Sequence, residues 1–215
     1  MEQIIIKNLS KSYGTLTVLK NVDLTLDRYK TYCLMSPSGT GKTTLFRILM
    51  GLEKADAGDI IWNVGSGAGA DTDTDASRSL RISAVFQEDR LCPSFSPLEN
   101  VMMVQKKHAS EISGISGDEI RTAMCRLLPE ECLNRPVSTL SGGMKRRTAI
   151  LRALLRALLT RSDLLLMDEP FTGLDEGTKD EVIKFLKEYR QDRFLLISTH
   201  QKEDVEKLGG ILLTL

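Results

Sequence analysis

The stretch that decides the fold reads Ser36-Pro-Ser-Gly-Thr-Gly-Lys-Thr-Thr44. It has the form S-x-x-x-x-G-K-T, which departs by one residue from the phosphate-loop pattern G-x-x-x-x-G-K-[ST]. The β-type run Thr31–Met35 precedes the loop, and Lys42–Met50 has helical character. A strand, a glycine-rich loop and a helix in this order predict a nucleotide-phosphate site.

Each part of the loop has a chemical task at a phosphate. Glycines let the backbone curl until several N–H groups point at phosphate oxygens, and the following helix adds partial positive charge. Lys42 is suited to reach the β- and γ-phosphates, and the Thr43 hydroxyl to ligate Mg²⁺. Ser36 replaces the first glycine, so a left-handed backbone there would carry strain. The segment assigned to nucleotide binding comprises Ser36, Pro37, Ser38, Gly39, Thr40, Gly41, Lys42, Thr43 and Thr44.

Strand-like and helix-like segments alternate along the rest of the chain, which predicts an α/β domain with a largely parallel core sheet. Helical periodicity extends from Pro97 to about Leu159 and predicts an inserted or appended helical lobe. Gly65–Ala76 is rich in Gly, Ala, Asp and Thr and is expected to be an exposed loop. The β-type runs are Ile4–Ile6, Val22–Leu26, Thr31–Met35, Ile60–Trp62, Ile82–Phe86, Leu164–Met167 and Phe194–Ile197.

Two carboxylates, Asp168 and Glu169, follow the apolar run Leu164–Met167. Ligands of open α/β sheets bind at the carboxyl ends of the strands. Asp168 is therefore suited to hold Mg²⁺ through its water shell, and Glu169 to accept hydrogen bonds from an attacking water. A strand that meets solvent also often ends in charge, so the pair is informative only together with the phosphate loop.

The composition bounds the class of protein. The chain has 215 residues, 41% of them hydrophobic, which fits one large domain. Lys plus Arg and Asp plus Glu both total 29, so no net field favours nucleic acid. The four cysteines lack paired metal-ligand spacing and are expected to be isolated thiols. The first residues do not form a secretory signal, and Arg152 and Arg156 interrupt the most apolar stretch, Ala149–Leu159. A cytoplasmic protein is expected, in which any link to a membrane would come through a partner.

A second glycine element, Leu140-Ser-Gly-Gly-Met144, precedes the predicted helix Met144–Leu159. Alone it would be a helix cap or an anion site at a helix start. In this context it resembles the signature sequence of ATP-binding-cassette (ABC) ATPases. Further elements resemble that family in order and spacing over roughly residues 4 to 203. They are the adenine-stacking aromatic Tyr13, the Q-loop glutamine Gln87, the D-loop Thr172–Asp175 and the switch histidine His200.

The resemblance implies a P-loop NTPase of ABC type, with an antiparallel N-terminal β part and a helical subdomain. Residues 1–215 would form one ABC ATPase domain. Its ATP-binding core would comprise residues 1–87 and 160–215. Residues 88–159 would form the helical subdomain that carries the signature.

The resemblance also implies a head-to-tail dimer in which each ATP lies between the phosphate loop of one subunit and the signature of the other. Ser141 and Gly143 would contact the γ-phosphate held by the partner's Lys42. The implied catalytic residues are Glu169, His200 and Gln87, and the implied Mg²⁺ ligands are Thr43, Gln87 and Asp168. The residues implied to bind nucleotide outside the phosphate loop are Tyr13, Ser141, Gly142, Gly143 and Asp175.

Segment Gln87–Val101 resembles the nitrate, sulfonate and taurine branch of importers. An importer ATPase would lie on the inner face of the cell membrane, bound to a second ATPase subunit and to integral-membrane permease subunits. It would act indirectly with a substrate-binding protein, without nucleic acid. Four apolar residues would contact the permease or belong to the core: Leu91, Phe95, Met102 and Met103. The alternative is a non-transport ABC ATPase that serves as a regulatory or interaction switch.

Two further departures from the family pattern follow the signature glycines. Met144 stands where the signature usually has glutamine, and is expected to tune the site. Arg152-Ala-Leu-Leu is repeated at once as Arg156-Ala-Leu-Leu, which looks like four extra residues. Such an insertion adds about 6 Å of helix. It would lengthen the signature helix or push out the loop that follows it.

Overall fold

The computed structural model describes residues 2–37, 39–63, 80–103 and 116–215. Ser38 and the predicted loop Gly65–Ala76 lie outside these residues. In chain order the strands are β1 (Gln3–Tyr13), β2 (Leu16–Asp27), β3 (Thr31–Leu34), β4 (Ala57–Asn63), β5 (Ile82–Val85), β6 (Leu164–Asp168), β7 (Phe194–Ser198) and β8 (Ile211–Leu213). The α-helices are α1 (Lys42–Leu49), α2 (Pro97–Met102), α3 (Gly117–Cys125), α4 (Gly142–Leu159), α5 (Glu176–Tyr189) and α6 (Lys202–Leu208).

The N-terminal strands form an antiparallel sheet in the order β2-β1-β4. β1 and β2 are longer than the runs Ile4–Ile6 and Val22–Leu26 that predicted them. Their pairing register shifts between Ile6 and Leu9, and Asn8 in this interval has a positive φ of 49°. Such irregularities interrupt the alternation of apolar and polar residues, so the sequence pattern revealed only part of each strand.

In the described part of the chain, five parallel strands form the central sheet in the order β5-β6-β7-β3-β8. Every residue of β6 and β7 is buried, because apolar layers cover both faces of the sheet. Leu164 and Leu166 face the layer that contains α1 and the N-terminal sheet, whereas Leu165 and Met167 face the helices of the other layer. The predicted fold class, an α/β protein with a mostly parallel core sheet and an antiparallel N-terminal part, is confirmed.

Helices α2, α3 and α4 lie between β5 and β6 in the chain. Ile120 and Met124 of α3 belong to the same hydrophobic cluster as Val85 and Leu165 of the sheet. Among the described residues, the helical region therefore shares one hydrophobic cluster with the sheet, and α4 contacts β5 and β6 directly. Four apolar residues were expected either to contact a permease or to belong to the core. Leu91 packs against this cluster, Met102 is partly exposed, and Phe95 and Met103 are exposed.

The repeated Arg-Ala-Leu-Leu lies inside one continuous helix, α4, of 18 residues. Arg152 donates to the carbonyl oxygens of Asp89 and Arg90, while Arg156 is exposed. The two copies therefore have different surroundings. Within the described part of the chain, no helix is both long enough and apolar enough to cross a membrane.

Candidate functional site

The carboxyl ends of four neighbouring strands bring the predicted site residues to one edge of the central sheet. β3 leads into the phosphate loop, β5 into Gln87, β6 into Glu169 and β7 into His200. An open cleft of about 250 Å³ lies at this edge. Its lining residues are Val18, Gly39, Gly41, Lys42, Thr43, Thr44, Gln87, Glu169 and His200.

The conformation of the phosphate loop requires glycine at position 41. Gly41 has a φ of 98°, and a Cβ there would lie 2.6 Å from the Leu19 side chain and 2.9 Å from the Val18 carbonyl oxygen. Lys42 is buried, and its Nζ donates to the carbonyl oxygens of Ser36 at 2.5 Å and Pro37 at 3.1 Å. The lysine ammonium is thus held at the loop by neutral acceptors that a phosphate can replace.

Ser36 does not adopt the left-handed backbone that would have strained a serine. Among the described residues of this loop, the left-handed positions are both glycines, Gly39 and Gly41. The Ser36 hydroxyl oxygen accepts a hydrogen bond from the Leu215 N–H at 2.8 Å. Serine at this position is therefore compatible with the loop and ties it to the segment after β8.

Asp168, Thr43 and Ser198 form a hydrogen-bonded group beside the cleft. The Thr43 hydroxyl donates to Asp168 Oδ2 at 2.9 Å, and the Ser198 hydroxyl donates to Asp168 Oδ1 at 2.5 Å. A hydroxyl and a carboxylate are oxygen donors of the kind that Mg²⁺ prefers, so these residues fit that ion. Sequence reasoning missed Ser198. The available signal was a polar residue at the carboxyl end of the buried run that precedes His200.

Glu169 and His200 face each other in the cleft. Glu169 leaves β6 with a left-handed φ of 48°, and its N–H donates to Ser198 Oγ at 2.9 Å. Its Oε1 lies 2.6 Å from His200 Nε2, a hydrogen-bond distance. A non-glycine residue in this backbone region is strained by roughly 1–3 kcal/mol. The surrounding hydrogen bonds maintain that conformation, which directs Glu169 away from Asp168 and toward the cleft.

A buried ion pair between α5 and α6 stabilises the loop that contains His200. Lys179 of α5 lies 3.1 Å from Asp204 of α6, and both side chains are almost fully buried. Asp204 Oδ2 also accepts the Thr199 hydroxyl at 2.5 Å. This group connects α5, α6 and the residue that precedes His200, and the sequence offered no signal for it.

The signature residues lie outside the cleft of their own chain. Ser141 is the N-cap of α4, and its hydroxyl accepts the Met144 N–H at 3.3 Å. Gly142 and Gly143 begin the helix, where free N–H groups and the helix dipole favour an anion. Met144 packs against the hydrophobic core. The glycine pair is therefore presented at the surface, with its methionine neighbour turned inward.

The D-loop lies beside the signature. A Cβ on Gly143 would lie 3.7 Å from the Leu174 side chain and 3.8 Å from the Gly173 carbonyl oxygen. Asp175 is the N-cap of α5, where it accepts the Thr178 N–H at 2.9 Å. The backbone hydrogen bond from Thr178 is the main cause that lowers the pKa of Asp175. Asp175 thus has a structural task as a helix cap.

Of the remaining predicted residues, Gln87 lines the cleft, whereas Tyr13 and three residues of the phosphate loop do not. Tyr13 ends β1, is 46% exposed, and has its ring centroid 5.3 Å from the Lys11 ammonium. Ser36 and Pro37 contribute carbonyl oxygens to Lys42, whereas Thr40 donates its hydroxyl to the Pro37 carbonyl oxygen. The side chain of Gln87 is exposed at the cleft.

Comparisons with known proteins agree with this arrangement. The family model described as ABC transporter matches residues 19–172. The aliphatic sulfonates import ATP-binding protein SsuB 3 of Rhodococcus jostii is 33% identical over 214 residues, which cover 99% of this chain and 70% of that protein. The lipoprotein-releasing system ATP-binding protein LolD of Porphyromonas gingivalis is 36% identical over 181 residues, which cover 82% of this chain and 78% of that protein.

A solved structure has the same fold. The ATP-binding cassette MJ0796, determined as a dimer in a post-hydrolysis state bound to ADP and Pi, has a TM-score of 0.78. It is 27% identical, and the match covers 99% of this chain and 94% of that one. With the phosphate loop, the signature helix and this fold in one chain, the protein belongs to the ABC transporter family, as an ATP-binding subunit with ATPase activity.

Proposed function

We propose that the chain hydrolyses ATP at two sites shared between two copies of itself. The observation that carries the proposal is the placement of Glu169 and His200, 2.6 Å apart, in the cleft that also contains Lys42. A carboxylate oriented by a histidine next to a phosphate-binding lysine is suited to activate water.

Each residue of the cleft has a task in this proposal. Lys42 exchanges its carbonyl partners for phosphate oxygens, and Thr43 and Asp168 hold Mg²⁺, which neutralises phosphate charge when it is bound. Glu169 accepts hydrogen bonds from the attacking water, while His200 orients Glu169 and supports the γ-phosphate. Tyr13 stacks on the adenine.

Gln87 and Asp175 act at the borders of the site. Gln87 is proposed as a ligand near the ion and the water, since its side chain lies at the cleft. Asp175 is proposed to contact the shared nucleotide, at the start of α5 and next to the signature of its own chain. The roles proposed for Gln87 and Asp175 are based on the resemblance to the family and on the positions of the two residues in the structure.

The position of the signature supports the shared site. Ser141, Gly142 and Gly143 do not line the cleft of their own chain, although the start of α4 is built to bind an anion. A second copy in head-to-tail orientation would place these residues against the phosphate bound by the partner's Lys42. The related cassette MJ0796 forms a dimer, which supports this arrangement.

We further propose that the dimer energises an importer through separate permease subunits. The Rhodococcus relative, named as an import protein, covers 99% of this chain, which supports import. ATP binding would close the dimer, hydrolysis and phosphate release would open it, and the permease would convert this movement into alternating access. The exposed Phe95 and Met103 in the proposed helical subdomain, residues 88–159, are candidate permease contacts. The Porphyromonas relative belongs to a lipoprotein-releasing system. A second candidate function is therefore to energise a system that releases its substrate from the membrane instead of importing it.

The role of Glu169 is tested with the Glu169→Gln variant. Because glutamine cannot act as a general base, we expect ATP hydrolysis to be about 10²–10⁴-fold slower while ATP still binds. The matched control is Glu181→Gln, which changes an exposed carboxylate on α5 and should preserve the parent rate. Hydrolysis at the parent rate by Glu169→Gln would remove Glu169 from this role.

The transport role is tested by purifying the tagged chain from membranes of its source cells after cross-linking. We expect a protein with several membrane spans to co-purify, and a secreted solute-binding protein encoded beside it would indicate import. Cross-linked complexes that contain only proteins without membrane spans would favour the regulatory alternative.

A further inference from the structure

Arg146 lies in the second turn of α4, five residues after the signature serine, and its side chain is 5% exposed. Two of its nitrogens face the turn after β6. Nε donates to the Pro170 carbonyl oxygen at 3.0 Å, and Nη2 donates to the carbonyl oxygens of Asp168 at 2.9 Å and Glu169 at 2.7 Å. One edge of the guanidinium thus binds three consecutive carbonyl groups around the proposed general base.

The third nitrogen of Arg146 faces the segment after β5. Nη1 donates to the carbonyl oxygens of Phe86 at 2.7 Å and Gln87 at 3.2 Å, and lies 3.1 Å from Asp89 Oδ1. The guanidinium is planar and rigid, so its two edges fix the positions of these two segments relative to each other. Five of the six acceptors are neutral carbonyl groups. The contact therefore depends mainly on the directions of the hydrogen bonds and less on the attraction between opposite charges.

We propose that Arg146 is a positioning residue that couples the signature to the catalytic cleft of its own chain. A shift of the start of α4 would be transmitted through the planar guanidinium of Arg146 to the backbone of Gln87 and Glu169. Binding of the partner's nucleotide at Ser141–Gly143 would then align Glu169 and Gln87 in the first subunit. The inference rests on the proposed ATP hydrolysis at shared sites.

A lysine at this position would retain the charge and lose the coupling. Its ammonium is a compact donor on a flexible stem and cannot reproduce two edges that bind separate backbone segments. Small displacements of catalytic groups can lower rates by about 100-fold without loss of binding. The Arg146→Lys variant should therefore affect turnover more than nucleotide affinity.

Arg152 provides the matched control on the same helix. It donates to the carbonyl oxygens of Asp89 and Arg90 and has no hydrogen bond to residues 168–170. The Arg152→Lys variant perturbs the segment after β5 and leaves the turn after β6 untouched. Arg152→Lys weakens only the contact between α4 and the segment after β5. An effect seen in Arg146→Lys but not in Arg152→Lys can therefore be assigned to the contact with the turn around Glu169.

The experiment compares the parent chain, Arg146→Lys and Arg152→Lys at a temperature where circular dichroism shows folded protein. For Arg146→Lys we expect kcat about 10–100-fold below the parent, with the Kd of a fluorescent ATP analogue within about 3-fold. Without nucleotide, hydrogen exchange should rise in the peptide that covers Glu169–Thr172. Arg152→Lys should retain kcat within about 3-fold and should not change exchange in that peptide.

Several results would overturn the assignment. They are a kcat for Arg146→Lys within about 2-fold of the parent, equal losses of kcat in both variants, or unchanged exchange at Glu169–Thr172. An Arg146→Lys chain that stays unfolded at every temperature would make Arg146 a folding residue instead. A parent chain that does not hydrolyse ATP contradicts the proposed function itself. A parent and an Arg146→Lys variant that are equally active contradict only the role of Arg146.

Discussion

Two adjacent carboxylates receive different surroundings because the backbone changes direction between them. Asp168 is still part of β6, opposite Ser198 of β7, and is bonded to Thr43. Glu169 has left the strand in a left-handed conformation and meets His200. Asp168 as an ion ligand and Glu169 as a general base thus differ because of one backbone turn between them. The Ser198 hydroxyl stabilises this turn by hydrogen bonds to both residues.

The Ser198→Ala variant tests this position. It removes a donor to the buried Asp168 carboxylate and the hydroxyl acceptor of the Glu169 N–H, so the free energy of unfolding should fall by about 1–3 kcal/mol. We expect kcat to fall by about 10-fold, because the Glu169 N–H keeps only its 3.2 Å hydrogen bond to the Ser198 carbonyl oxygen and Glu169 is less tightly oriented. Chemical denaturation and steady-state hydrolysis measure the two effects.

Ser83→Ala is the control for that variant. Ser83 is also a fully buried serine of the central sheet, and its hydroxyl is 2.8 Å from the Ser162 hydroxyl, away from the cleft. Its loss should lower stability by about 1 kcal/mol and leave kcat unchanged. If the two variants lower kcat equally, Ser198 has no special role in the site.

At the scale of elements, the sequence predicted the buried strands and the helices that follow them, since long apolar runs and glycine breaks are local signals. It missed β8, a three-residue edge strand whose residues are half exposed, and the short helix α6 before it. It also truncated β1 and β2, where the register shift at Asn8 interrupts the alternation. Tertiary pairing, more than local pattern, defines these elements.

The contact between α5 and α6 gives a prediction about stability. The Lys179→Met variant leaves the Asp204 carboxylate buried without its cation, so the free energy of unfolding should fall by about 3–5 kcal/mol. In the double variant Lys179→Met/Asp204→Asn the unpaired charge is absent, and a large part of that loss should be regained. Denaturant titration compares the two. A double variant that is less stable than the single one would show that the ion pair is not the cause.

For the whole molecule, the sequence predicted which residues belong to the site but not what holds them together. Lys42, Glu169 and His200 were identified from motifs and from resemblance to the family, and the structure places all three in one cleft. Arg146 and Ser198 were missed because their importance depends on neighbours far away in the sequence. Their contacts form only when α4 and β7 pack beside β6.

In the proposed dimer, each active site combines the phosphate loop of one subunit with the signature of another. Mixing two inactive variants, Lys42→Met and Gly143→Asp, tests this shared arrangement. A side chain at Gly143 meets only ordinary contacts in its own chain, so the aspartate should repel phosphate without disturbing the fold. A mixed dimer then contains one site with both defects and one intact site.

We predict that each variant alone hydrolyses ATP at a background rate, and that the equimolar mixture regains up to roughly a quarter of the parent rate per subunit. Half of randomly paired dimers are mixed, and each of these has one intact site of two. A mixture that remains at the sum of the two background rates would contradict the shared site.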